Sequence, residues 1–148
     1  MYERILVATD GSELSELAVN AAIDLALLTK AELVAVKVVH NYPAGYFEGS
    51  LLLSQVEVQR LQAQADAEAQ RVVDAVKAKA DARGVKSTLA VIMKSELVSE
   101  AIIEAARIHK SELIVMASHG RRGITRLLMG SETLHVLTHS HTPVLVLR

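Results

Sequence analysis

The chain has 148 residues, 51% hydrophobic and 22% charged, and its 16 Lys and Arg against 17 Asp and Glu leave a formal net charge of −1. That profile fits one soluble globular domain spanning 1–148 and excludes a disordered chain. Near-neutral charge and only four aromatic residues argue against a nucleic-acid binder, which needs a cationic footprint or a stacking platform. The absence of cysteine removes disulfides, thiolate nucleophiles and cysteine-based metal sites. The longest apolar runs are five residues, whereas a membrane span needs about 20. The apolar run after Glu3 and Arg4 is also too short for a signal-peptide core of about 7–15 residues, so the expected location is the cytoplasm.

Residues 5–9 (ILVAT) form a short β-branched run that predicts a strand buried on both faces, as a parallel sheet requires. Ser12 follows as an N-cap ahead of Glu13. Leu14, Leu17, Ala18, Ala21, Ala22, Leu25 and Leu28 then recur at helical spacing. A second strand is expected at 32–39 (ELVAVKVV). The next stretch, 40–50 (HNYPAGYFEGS), holds a proline, two glycines and three of the four aromatics. It reads as a surface loop, either a plain connector or a lid beside a crevice at the strand's carboxyl end.

Val58, Leu61, Ala65, Ala69, Val72, Val76 and Ala80 predict a long helix, with Gly84 as its closing C′ glycine. A third strand is expected at 87–93 (STLAVIM), then Ser95 as an N-cap and a third helix marked by Val98, Ala101, Ile102, Ala105 and Ile108. Residues 112–117 (ELIVMA) predict the fourth strand. A fourth helix opens at Gly130-Ser131 and runs to about His139, and 143–147 (PVLVL) is the fifth strand. Strand alternating with helix throughout means an α/β three-layer sandwich with right-handed crossovers.

Chemistry concentrates in 116–133 (MASHGRRGITRLLMGSET), between the fourth strand and the fourth helix. Gly120, Gly123 and Gly130 allow backbone N–H groups to approach a ligand, and Ser131 and Thr133 add hydroxyls on the first helical turn, where the dipole favours an anion. From residue 107 onward six cationic side chains face two anionic ones, and Arg121, Arg122 and Arg126 lie in the loop itself. The pattern suits a phosphate cradle, and equally a long turn that uses glycine for geometry and arginine for solubility. A second candidate is Asp10 in ATDGS, either a hydrogen-bond acceptor for ribose or adenine or a ligand that helps hold a metal ion, or simply a turn acid.

Other chemistries lack their residues. There is no G-x-x-x-x-G-K-[ST] loop, no G-x-G-x-x-G after the first strand, no G-x-S-x-G elbow and no acidic cluster at the strand ends. His119 suits either a phosphate oxygen or a backbone carbonyl of the loop. His135 and His139 share a helix face at a spacing that zinc accepts, with His141 beyond, but no H-E-x-x-H glutamate accompanies them. The expectation there is helix C-terminal histidines and no metal site. Binding is better supported than turnover; a slow ATPase is the furthest enzymatic reading, and no base for it is identifiable.

VATDGS after the first strand, MASHGRRG, the ten-residue step to Gly130-Ser131 and the terminal HTPVLVLR follow the order and spacing of the universal stress protein family, which the chain resembles over essentially its full length. The resemblance implies five parallel strands in the order 3-2-1-4-5, the adenine nucleotide alpha hydrolase-like arrangement, and homodimers paired through their last strands. ATP-binding members carry G-x-x-G, nine residues, then G-[ST]. Here Gly120 matches the second glycine, Gly130-Ser131 the final pair, and Ala117 stands at the first glycine, where ribose approaches in those relatives. Carried over residue by residue, the candidate nucleotide site is Ala8, Thr9, Asp10, Val38, Met116, Ala117, His119, Gly120, Arg121, Gly130, Ser131, Glu132 and Thr133. The resemblance implies ATP as its ligand, accompanied by Mg2+.

Two functions follow from different classes: an ATP-binding stress-response or signalling module, or a nucleotide-free dimeric interaction protein of the same fold. The dimer has a physical basis of its own. An apolar run at 143–147 on a sheet edge exposes unpaired N–H and C=O groups, which antiparallel pairing with a second copy satisfies.

Overall fold

The computed structural model describes residues 1–42, 47–48, 51–119 and 129–148. The elements run β1 (Arg4–Ala8), α1 (Glu13–Thr29), β2 (Glu32–Val39), β3 (Phe47–Glu48), β4 (Leu51–Leu52), α2 (Gln55–Arg83), β5 (Thr88–Lys94), α3 (Val98–Ile108), β6 (Leu113–Ala117), α4 (Ser131–His139) and β7 (Val144–Leu147). Five strands form one parallel sheet in the order β5-β2-β1-β6-β7. Counted along the chain, that is the expected 3-2-1-4-5. The loop expectation for 40–50 is modified by a small antiparallel pairing of β3 with β4; 43–46 and 49–50 lie outside the described residues.

Strand alternation divides the core between the two faces of the sheet. Ile5, Val7, Leu33, Ala35, Leu113 and Val115 pack under α1 and α2, while Leu6, Val34, Val36, Ile114 and Met116 pack under α3 and α4. In the middle of the sheet Leu6 pairs with both Val34 and Ile114. Each such side chain, fully buried, contributes about 1.5–3 kcal/mol.

Two helix faces differ from the periodicity. α1 buries Ser15, Ala18, Val19, Ala22, Ile23 and Ala26, while Leu17 and Leu28 are 48% and 81% exposed. The alanines let the helix lie close on β1 and β6, and a helix apolar on most sides does not fix its own buried face. α3 likewise buries Ser99 and Ala106 and leaves Val98 and Ile108 exposed.

Helix ends follow capping chemistry with one correction. Ser12 accepts the Ser15 N–H at the start of α1, and Gly84 closes α2 at φ 93°. α2 starts at a Ser54–Glu57 capping box, earlier than its apolar stripe suggested. Ser95, expected as the N-cap of α3, instead makes a tight turn by accepting the Leu97 N–H at 3.0 Å, and Leu97 is the N-cap.

α1 and α3 end without glycine. Lys30 and Lys110 take left-handed φ values of 60° and 51°, where an L side chain costs energy that glycine avoids. Lys30→Gly and Lys110→Gly are each expected to stabilise the chain by about 0.5–1 kcal/mol, read as a rise in the urea midpoint. An unchanged or lower midpoint contradicts the expectation. Among the described residues, no helix is long and apolar enough to cross a membrane.

Candidate functional site

The carboxyl ends of β1, β2 and β6 lie side by side because β1 pairs with both neighbours. The segments leaving them therefore converge on one edge, the crevice at which α/β sheets bind ligands. β1 ends at Ala8, and Thr9 prolongs its ladder by donating its N–H to the Val36 carbonyl at 3.0 Å. The buried Thr9 hydroxyl lies 3.0 Å from Ser15 Oγ and accepts the Gly11 N–H at 3.2 Å. Asp10 Oδ1 accepts the Ser12 N–H at 2.9 Å, the turn-forming role of an aspartate in D-G-S. Gly11 supplies the turn at φ 79°, where an added Cβ would meet Val72 Cγ2 at 3.1 Å.

The second half of the edge is the junction of β6 with α4. Ala117 ends β6 in register with Leu147, buried and with strand backbone. The buried Ser118 then holds the junction together. Its N–H donates to the Leu147 carbonyl at 2.7 Å, and its carbonyl accepts the Gly130 N–H at 2.8 Å. Its hydroxyl lies 2.7 Å from His119 Nδ1.

The Thr133 hydroxyl donates to the Ala117 carbonyl at 3.0 Å, so this residue faces the crevice through its backbone rather than its hydroxyl. Gly130 is the N-cap of α4 and, among the described residues, no side chain caps it. The first-turn N–H groups of Ser131, Glu132 and Thr133 have no partner one turn back within the helix. Gly120 and Arg121, and with them Gly123, Arg122 and Arg126, lie outside the described residues.

Glu132 points elsewhere. Its Oε2 accepts the Ser99 N–H at 2.7 Å, supplying to the start of α3 the cap that Leu97 lacks and locking α3 to α4. Glu132→Ala is expected to cost about 1 kcal/mol, the usual worth of an N-cap, with Glu132→Gln retaining most of it; urea unfolding of the two variants separates them. Equal stability of Glu132→Ala and the parent chain contradicts this.

At the far side of the edge, α2 grips the exit of β2 beyond Val38. Gln62 Oε1 accepts the Tyr42 N–H at 2.9 Å, and Gln62 Nε2 donates to the His40 carbonyl at 3.3 Å and to Asp66 Oδ1 at 2.9 Å. Lys94 donates to Asp66 Oδ2 at 2.7 Å, and this bond holds the Asp66 carboxyl below its ordinary range. Sequence reading missed Ser118, Ser15 and Gln62. Only Ser54-x-x-Glu57 carried a local signal, the capping box.

Two other features stand apart. His135 Nε2 lies 2.7 Å from Glu100 Oε1 and its ring stacks on His139 at 3.9 Å; among the described residues no group of three His, Asp or Glu could hold a metal ion. A cavity of about 590 Å3 opens where the strands begin, lined by Lys30, Lys86 and Lys110 together with Glu3, Glu32 and Glu112. The negative C-terminal ends of α1 and α3 lie at that end of the sheet, which disfavours a phosphate there.

The universal stress protein family model matches residues 1–148. A universal stress protein of Methanocaldococcus jannaschii is 33% identical over 148 residues, covering 100% of this chain and 83% of that protein. Universal stress protein UspA from Lactobacillus plantarum superposes with a TM-score of 0.85 at 24% identity, covering 99% of this chain and 98% of that one. A universal stress protein solved in complex with cAMP gives 0.72 at 23% identity, covering 99% and 97%. Because the family model spans residues 1–148 and a relative 33% identical covers the whole chain, the chain belongs to the universal stress protein family.

Proposed function

We propose that this chain is a cytoplasmic ATP-binding module of the stress response, a binder rather than a robust enzyme. The observation that carries the reading is the uncapped start of α4, held against the end of β6 by Gly130 N–H to the Ser118 carbonyl and by the Thr133 hydroxyl to the Ala117 carbonyl. Three first-turn N–H groups and the positive end of the helix dipole then meet the phosphates. Ser131 adds an exposed hydroxyl and His119 follows Ser118 at the same junction; Gly120 and Arg121, carried over from the resemblance, lie outside the described residues. The adenosine end lies across β1 and β2, against Ala8, Thr9, Asp10 and Val38, with Met116 and Ala117 beneath the ribose.

Among the described non-glycine residues only Lys30 and Lys110 have positive φ, so the methyl of Ala117 imposes no backbone strain. Mg2+ binds chiefly through phosphate oxygens with one or two carboxylates, and Asp10, just past the end of β1, is the carboxylate proposed to hold it. The relative solved with cAMP supports an adenine nucleotide as the ligand class.

The module is a homodimer in this reading, joined through β7. β7 lies at the sheet edge, and Leu145 is 37% exposed. Antiparallel pairing with a second copy satisfies that edge.

Thermal unfolding with and without millimolar ATP and Mg2+ tests the nucleotide reading. A hundredfold excess over Kd adds about 2.7 kcal/mol, a rise of about 8 °C for a domain of this size. No shift leaves the nucleotide-free dimeric interaction protein in its place.

A further inference from the structure

Tyr42 and His40 lie just past Val39, the last residue of the β2 ladder. Their backbone groups are met from the side by one residue, Gln62, whose amide accepts from Tyr42 and donates to His40. The orientation of that amide is dictated by its partners. The Tyr42 N–H requires the amide oxygen and the Asp66 carboxylate requires the amide nitrogen. Asp66 is fixed in turn by Lys94, the last residue of β5, which sits in register with Val39. The bonds close a ring through α2, β5 and β2. The His40 and Tyr42 rings meet edge to face, with centroids 4.9 Å apart at 81°.

We infer that Gln62 is a positioning residue for the base end of the nucleotide site, setting the course of the chain immediately beyond Val38 against which adenine rests. This rests on the nucleotide reading above. A segment held in place before the ligand arrives does not have its ordering cost subtracted from affinity. The clamp acts on the β2 exit and makes none of the contacts at the β6–α4 junction. Its influence therefore falls on the nucleoside and spares the phosphates.

Calorimetric titration of the full chain with Mg-ATP and, separately, with inorganic tripolyphosphate and Mg2+ tests this. Gln62→Leu is expected to weaken ATP about tenfold, the worth of about one well-formed hydrogen bond, to leave tripolyphosphate within about twofold, and to speed hydrogen exchange at the Tyr42 amide. Gln62→Glu keeps an acceptor for the Tyr42 N–H but turns a second carboxylate on Asp66 Oδ1 and the His40 carbonyl, so it is expected to restore no more ATP affinity than Gln62→Leu. Parental ATP affinity in Gln62→Leu, or an equal loss for both ligands, overturns the role of Gln62 alone. A parent chain that binds no adenine nucleotide overturns the nucleotide reading and the positioning role together, with faster Tyr42 exchange in the variant then marking the clamp as purely architectural.

Discussion

Gly130→Arg is expected to abolish ATP binding, weakening it at least about a hundredfold, in a protein that still folds. Gly130 sits at φ −62° and ψ 150°, a conformation open to any residue, so the substitution strains no dihedral. An added Cβ would lie 3.3 Å from the Ser118 carbonyl oxygen and 3.5 Å from His119 Cα. The junction then yields by a few tenths of an ångström, an overpacking cost of about 1–3 kcal/mol against a typical total of about 5–15 kcal/mol.

The rest of the arginine side chain is expected to fill the proposed phosphate seat. Gly130→Ala makes the same Cβ contact without the arm and is expected to keep most of the affinity. Calorimetry with Mg-ATP, together with urea unfolding of both variants, separates a blocked seat from a damaged fold. Parental ATP affinity in Gly130→Arg removes α4 from the site.

Val146→Pro is expected to convert the proposed homodimer into a folded monomer. β6 draws on the carbonyls of Pro143 and Leu147, through the Ile114 and Ser118 N–H groups at 2.9 and 2.7 Å. Backbone direction alternates along a strand, so Val144 and Val146 turn their own N–H and C=O groups to the open edge. Proline at Val146 deletes an outward donor and leaves the ladder to β6 in place, the position at which sheets tolerate proline. In an antiparallel two-fold pairing the loss is felt twice, once from each copy. Light scattering at micromolar concentration should report a dimer for the parent chain and a monomer for the variant, with closely similar circular dichroism. A monomeric parent, or a variant that remains dimeric, contradicts pairing through β7.

The sheet was legible in the sequence because burial on both faces of β1, β2 and β6 imposes nearly uninterrupted apolar runs; the edge strands β5 and β7 carry apolar runs too although they are only partly buried, and all five form close to their expected bounds. Helix faces were less legible. Ala18, Ala22 and Ala26, rather than Leu17 and Leu28, meet the sheet in α1, a choice made by close approach that periodicity does not encode. Ser95 has a capping side chain, yet the cap of α3 arrives from Glu132, 33 residues away, and no local pattern announces a bond of that range.

The site divides the same way. The turn at Asp10-Gly11-Ser12 and the opening of α4 at Gly130 were readable as local chemistry. The inward hydroxyl of Thr133 and the clamp at Gln62 depend on how α4 sits on β6 and α2 on β2. Packing decides both, and packing is not written in spacing.

The backbone N–H groups at the start of α4 are the proposed seat of the triphosphate. Diffraction from crystals soaked in concentrated Mg-ATP tests this directly. Phosphate density within hydrogen-bonding reach of the Ser131 and Glu132 N–H groups, with the base lying towards Val38, is the predicted result. Ordered solvent alone at that position contradicts it.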